Sequence, residues 1–265
     1  MCRSTVANAQ NRHPERRQDA DLQPRRADLA RSPPSRPVTG VICTSSLAPC
    51  QISGYERIAL REDGVMTSQR NGPPDVLFVN GASSAGKTSL IRAVQDLVPV
   101  PYLHVGLDHC FASVPEPWGG GGPGRYSAAG FAYEACKPSS DGLPRTAITV
   151  GPVGAAMLAA YRRSLVTLLQ HGCLLAIDEL LLSDEIGADY LTLLAPYDVQ
   201  YVLVTASSDC VEERCAARGY ERGFGRWSLT AAERLPREYD LIFDSERTST
   251  EECAAAVASS WKGHG

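Results

Sequence analysis

Lysine is almost missing from this chain: Lys87, Lys137 and Lys262 are the only ones among its 26 basic residues, and arginine supplies the rest. Cysteine is present, nine times in 265 residues, but without a C-x-x-C pair or histidines at ligand spacing. This excludes the usual zinc signatures and predicts reduced thiols in a cytoplasmic protein. No apolar run approaches the ~18 residues of a membrane span. The N-terminus has no apolar core of a secretory signal. Internal repeats are also lacking. A net charge of -4 argues against nucleic acid as a partner.

The charge is unevenly spread. Of 26 basic and 30 acidic residues, residues 1–40 hold eight and four, leaving 18 and 26 for an acidic remainder. Residues 1–70 are rich in Arg, Pro, Ala, Asp and Gln, with no sustained apolar period. They cannot bury enough surface to offset chain entropy, which predicts a disordered extension. Met66, nine residues before the first expected strand, is a candidate for the true start of translation, and residues 71–265 are then the folded domain.

From Asp75 onward short apolar segments alternate with longer amphipathic ones. Strands are expected at 75–80, 102–106, 173–178, 199–205 and 240–243. Helices are expected at 87–97, 154–170, 184–195, 208–217 and 250–261. In the second, Met157, Tyr161, Leu165, Leu168 and Leu169 share one face and read as core. Thr230 to Glu233 and Ser249 to Glu252 both have capping-box spacing. The pattern predicts an α/β fold of three layers, a parallel sheet of about five strands with helices on both faces. The run GGGGPG at 119–124 reads as a mobile loop.

The isolated lysine falls at the end of a glycine loop. Gly81 to Thr88 (GASSAGKT) matches G-x-x-x-x-G-K-[ST] directly after a strand and before a helix, a match expected by chance roughly once in a hundred chains of this length. Gly81 and Gly86 admit backbone close to a ligand, so the amides of Gly81, Ala82, Ser83, Ser84, Ala85, Gly86, Lys87 and Thr88 can surround phosphate oxygens. Lys87 is a compact charge for the β- and γ-phosphates of ATP, where a planar guanidinium fits badly. Thr88 is a ligand for Mg2+.

Asp108 follows the second strand, where it either orients an attacking hydroxyl or caps a short helix at 109–113; spacing weighs these evenly. His104 and His109 are weaker candidates. Asp178 ends the run CLLAID, where an acid can serve magnesium, and Glu179 beside it can share that task. Arg214, Arg218, Arg222 and Arg226 recur every four residues, as a solvated helix face or as a lid broken by glycines 219, 223 and 225 that neutralises a transferring phosphoryl group. Phe111 and Trp118 are candidates for an acceptor pocket or for plain packing.

Taken together these residues resemble the chloramphenicol phosphotransferase family over about residues 75–260. VNGASSAGKTSLIRAVQ is close to the family's phosphate loop, VGLDHC looks like its post-strand aspartate segment, ITVGP like the stretch before its long central helix, AIDELLL like its third strand with paired acids, and ERCAARGYER like its arginine lid. The resemblance implies a P-loop kinase fold with an arginine lid. It implies Asp108 as the base for an acceptor hydroxyl, and carries lid roles to Arg214, Arg218 and Arg222, the last displaced by one residue. Residues 111–150 match loosely, including Tyr126, Phe131 and Tyr133. The expectation is an ATP- and magnesium-dependent kinase of a small hydroxyl-bearing molecule. A kinase of a nucleoside or metabolic intermediate, and a nucleotide-binding regulator contacting a partner through its basic arm, are the alternatives.

Overall fold

A computed structural model describes residues 72–119, 127–138 and 142–261. The expected disordered extension, the Met66 start, Tyr126 and most of the glycine run lie outside the described residues.

Five strands form one parallel sheet: β1 (Val76–Gly81), β2 (Tyr102–Gly106), β5 (Leu174–Glu179), β6 (Val199–Thr205) and β7 (Leu241–Asp244), in the order β2-β5-β1-β6-β7. All five were expected within one residue at each end. β1 lies at the centre and is buried along its whole length. Its alternating side chains feed two cores: Leu77 and Val79 pack in one, Val76 and Phe78 in the other. A strand read by both faces has no polar side to spare, which is why VLFVNG is nearly continuously apolar.

Helices cover both faces. α1 (Lys87–Leu97) and α7 (Thr250–Ser260) pack against each other and send Leu90, Ile91, Val94, Cys253 and Val257 into the first core. On the opposite face, α3 (Pro152–Gln170) and α4 (Asp184–Leu194) supply Leu165, Leu169, Tyr190 and Leu194. Of the five residues assigned to one apolar face of α3, Leu165 and Leu169 are fully buried, whereas Met157, Tyr161 and Leu168 are partly so. Ser249 and Glu252 form the expected reciprocal capping box. Thr230 and Glu233 do not. Residues Leu229–Arg234 form a 3-10 turn, and the Thr230 hydroxyl donates to Trp227 O at 2.8 Å instead of capping a helix.

A hairpin was not expected. β3 (Phe131–Cys136) and β4 (Arg145–Val150) pair antiparallel in a separate two-stranded hairpin. No helix among the described residues is long and apolar enough to cross a membrane. The described cysteines, Cys110, Cys136, Cys173, Cys210, Cys215 and Cys253, are free thiols.

Candidate active site

The chain leaves central β1 toward β2 on one side and later crosses back to β6 on the other. Loops from strand C-termini diverge at such a point and leave a crevice. Here it is a cavity of about 50 Å³ lined by Ser83, Ser84, Gly86, Lys87, Thr88 and Ser89 of the loop and start of α1, with Leu107, Asp108, Asp178, Leu180, Arg218 and Tyr220 facing them. Residues separated by more than 130 positions in sequence therefore share one small, mostly polar space.

The loop turns from β1 into α1 through two left-handed residues. Gly86, with φ 114°, precedes the first helical residue, Lys87. Ser84, at φ 60°, is the sole non-glycine residue with positive φ among the described residues. Such a backbone costs of order 1 kcal/mol or more and persists when its surroundings hold it. They do so here: Arg214 donates from Nη1 to Ser84 O at 3.4 Å and to Ser245 Oγ at 3.0 Å, and the buried Cys215 thiol lies 3.5 Å from Ser84 Oγ. On the other side Ser228 Oγ, fully buried, accepts from Ser83 N at 3.0 Å.

Lys87 is only 8% exposed. Its Nζ donates to Ala82 O at 2.9 Å and lies 3.8 Å from Asp178 Oδ1. The Thr88 hydroxyl donates to Asp178 Oδ2 at 2.5 Å, and His104 Nε2 lies 3.4 Å from the same oxygen. Burial by itself pushes the Asp178 carboxyl up; the Lys87 ammonium and the hydrogen bonds from His104 and Thr88 outweigh it and hold the group below the usual carboxylate range. An ionised carboxylate accepts, so His104 presents Nε2–H to it. His104, ranked low by sequence, thus orients Asp178.

Glu179 points the other way. It is buried, accepts from Tyr190 Oη at 2.7 Å, and is pushed up to about 7 chiefly by burial, with the Asp178 charge adding to the shift. Successive strand residues face opposite sides of a sheet. Glu179 is therefore spent on packing β5 to α4. Hydroxyl and ionised carboxylate oxygens from Thr88 and Asp178 fit a hard divalent cation such as magnesium.

Asp108 sits in the first turn of α2 (Leu107–Ser113), exposed to solvent. The helix is capped by Gly106 with no side-chain hydrogen bond, so Asp108 does not serve as its cap. Instead it lines the cavity with Lys87 and Arg218.

The four regularly spaced arginines take four different places. Helix α5 (Ser208–Ala217) carries Arg214 under the loop backbone, outside the cavity lining. Arg218 caps α5 and enters the cavity. Arg222 is exposed and is not brought to the cavity; its carbonyl accepts from Thr146 Oγ1 of β4 at 2.8 Å. Arg226, in short helix α6 (Phe224–Ser228), pairs with Glu212 at 3.2 Å. Gly219 and Gly223 interrupt the helical path as expected, but Gly225 lies within α6, where it lets the backbone approach Glu212.

The hairpin bridges the two sides of the site. Phe131 packs on Phe111 of α2 with ring centroids 4.7 Å apart, and Tyr133 meets Phe224 of α6 at 5.3 Å. Phe111 is thus a packing residue between the hairpin and the helix bearing Asp108. Trp118 sits at the surface in a 3-10 turn, 36% exposed. Sequence reasoning missed Tyr220 and Ser228 altogether. A tyrosine between two arginines and a serine in a short helix carry no spacing signal.

The profile of the chloramphenicol phosphotransferase-like proteins matches residues 74–262. In Mycobacterium tuberculosis, a proposed O-phosphotransferase found in two strains is 29% identical over 189 residues, spanning 71% of this chain and 82% of the relative. Among solved structures, a proposed kinase from Chloroflexus aurantiacus aligns with a TM-score of 0.46 at 19% identity, over 73% of this chain and 99% of its own. The tunicamycin resistance protein of Deinococcus radiodurans aligns with a TM-score of 0.46 at 12% identity, over 71% and 95%.

Proposed function

We propose that this chain, which belongs to the chloramphenicol phosphotransferase-like family, transfers the γ-phosphate of ATP to a hydroxyl group of a small molecule. One observation carries the reading: Lys87, Thr88, Asp178, Asp108 and Arg218 converge on a single cavity at the C-terminal edge of a parallel sheet. Each supplies a different requirement of phosphoryl transfer, and no simple phosphate-binding loop needs all five.

Loop amides and Lys87 hold the β- and γ-phosphates. Thr88 and Asp178 are the residues that would hold magnesium, which when bound neutralises charge on the phosphate oxygens. Asp108 accepts the proton of the acceptor hydroxyl, whose oxygen forms the new bond to phosphorus as the bond to ADP breaks. Arg218 faces the charge spread over the transferring group. Arg214 acts earlier, by fixing the loop backbone through Ser84 and Ser245.

The test is acceptor-dependent ADP release by the full chain with magnesium-ATP, using a panel of hydroxyl compounds headed by chloramphenicol and including nucleosides. A positioned general base contributes about 10²–10⁴-fold. Asp108→Asn is therefore expected to lower turnover of a stimulating compound at least about 100-fold while ATP affinity stays within about threefold. Wild-type turnover in that variant would remove Asp108 from the mechanism. ATP binding without stimulation by any compound would count against a small-molecule acceptor.

A further inference from the structure

A kinase of a small alcohol faces a chemical difficulty that its own base creates. Water is a competing nucleophile at far higher concentration, and Asp108 is solvent-exposed. With water in place of the alcohol, water oxygen bonds to the γ-phosphorus, the bond to ADP breaks with its electron pair leaving on ADP, the proton goes to Asp108, and inorganic phosphate results. Something beside Asp108 must disfavour that reaction until an acceptor arrives.

We propose that Tyr220 is a positioning residue that keeps water from a productive place between Asp108 and the phosphate loop, so that transfer to an alcohol prevails over hydrolysis. This rests on the phosphoryl-transfer reading above. Tyr220 lines the same cavity as Asp108, Lys87 and Arg218 and is the only aromatic side chain among the described residues of that lining. The described apolar residues beside it, Leu107 and Leu180, are smaller, so the tyrosine ring is the largest neutral body among the described lining residues.

The ring is held in place. Its backbone N donates to Cys215 O at 3.1 Å, fixing the turn that follows α5. Its face lies against Phe224 with centroids 5.0 Å apart and planes 33° apart. Phe224 is itself 2% exposed, wedged between Trp227 at 5.8 Å and Tyr133 of the hairpin at 5.3 Å. Burial pushes the phenol's pKa up, and the Asp108 charge adds to the shift. A neutral phenol in the same lining as the loop serines and the base fills space without competing as a nucleophile.

Removing the ring opens room for more than one water, each occupying about 30 Å³. The experiment measures inorganic phosphate released from magnesium-ATP by the full chain without acceptor, with magnesium-ATP affinity measured calorimetrically on the same preparations. Tyr220→Ala is expected to raise hydrolysis at least about tenfold. Tyr220→Phe, which restores the ring, is expected to bring it back to within about threefold of wild type. Adding Asp108→Asn to Tyr220→Ala is expected to abolish the gain, because the new hydrolysis uses the same base. Tyr220→Leu, which fills more of the gap, serves if the alanine variant does not fold, with a smaller rise expected. Hydrolysis equal to or below wild type in variants that bind magnesium-ATP overturns the role of Tyr220 and leaves the kinase reading standing. A wild-type chain that binds no magnesium-ATP overturns both.

Discussion

Glu179 shows how a single buried carboxyl imposes a pH dependence on the whole chain. Unfolded, its carboxyl ionises near 4.5; folded, burial pushes it up to about 7. Below about pH 4.5 both states hold the proton and no charge is buried. As pH rises toward 7 the unfolded chain releases its proton while the folded chain keeps it. Folding then loses about 1.4 kcal/mol per pH unit, and above pH 7 the loss levels off at roughly 3 kcal/mol. Glu179→Gln keeps an oxygen to accept from Tyr190 and never ionises. Its stability relative to wild type, from urea unfolding, is expected to rise by roughly 3 kcal/mol between pH 4.5 and pH 8. An equal difference at the two pH values would mean that Glu179 does not keep its proton in the fold. Asp178, one residue away, has the opposite sign: its depressed pKa stabilises the fold above the ordinary carboxylate range and is lost as pH falls through the lowered value. Adjacent acids in a strand thus diverge because one faces Lys87 and the other faces the core. The pair was legible in the sequence, but its division of labour was not, since the pattern LLAIDE does not say which side chain meets a cation.

At the scale of elements, the hairpin and the turn between α5 and α6 are joined at Gly223. Gly223, at φ 88°, donates its N–H to Glu212 Oε1 at 2.6 Å, while its carbonyl accepts from Thr146 N at 3.2 Å. A side chain there meets Pro144 O at 2.5 Å. Gly223→Ala therefore combines left-handed strain with a backbone clash, and about 2 kcal/mol of stability is expected to be lost. Thr146→Val removes the hydroxyl bond to Arg222 O, for about 1 kcal/mol. Both changes act on the same junction, so the double variant in urea unfolding is expected to fall short of the sum by at least about 0.5 kcal/mol. Simple additivity would mean that β4 and the α5–α6 turn are held independently. The sequence exposed the parallel strands because each is a short, nearly continuous apolar run between helical periods. The hairpin escaped because its strands, FAYEAC and RTAITV, are short and only half buried, and alternate too weakly to stand out from loop. The signal that was available lay in the β-branched residues Thr146, Ile148, Thr149 and Val150. Arginines every four residues read as a solvated helix face or as a lid broken by glycines; Gly219 and Gly223 do break the helix, and the four arginines go to four different places, which spacing alone did not show.

Over the whole molecule, the site depends on strand order, and order is not written in periodicity. Lys87 follows the first strand and Asp178 lies near the end of β5, the third strand of the parallel sheet in chain order; they meet only because β5, and not β2, pairs with β1. The motif supplied the loop and its lysine, the apolar runs supplied the strands, and the pairing of the two was left to the requirement that each strand bury both faces under helices. Ligand binding at such a junction acts on global stability, because loop, β1, β5 and α1 are ordered in the folded state alone. A ligand at about 100 times its dissociation constant adds about 2.7 kcal/mol to folding. For a domain of this size each kcal/mol raises the melting temperature by about 2–4 °C. Magnesium-ATP at saturation is thus expected to raise the Tm of the full chain by roughly 5–10 °C. Lys87→Ala is expected to cut that shift to below about 2 °C, and also to lower the Tm without ligand, since Asp178 then keeps its burial cost without the ammonium that offsets it. Scanning calorimetry of both proteins with and without magnesium-ATP reads all four values. An equal shift in the two proteins would show that the lysine does not hold the nucleotide. A Tm without ligand that is unchanged in the variant would show that the Lys87–Asp178 contact contributes nothing to the fold.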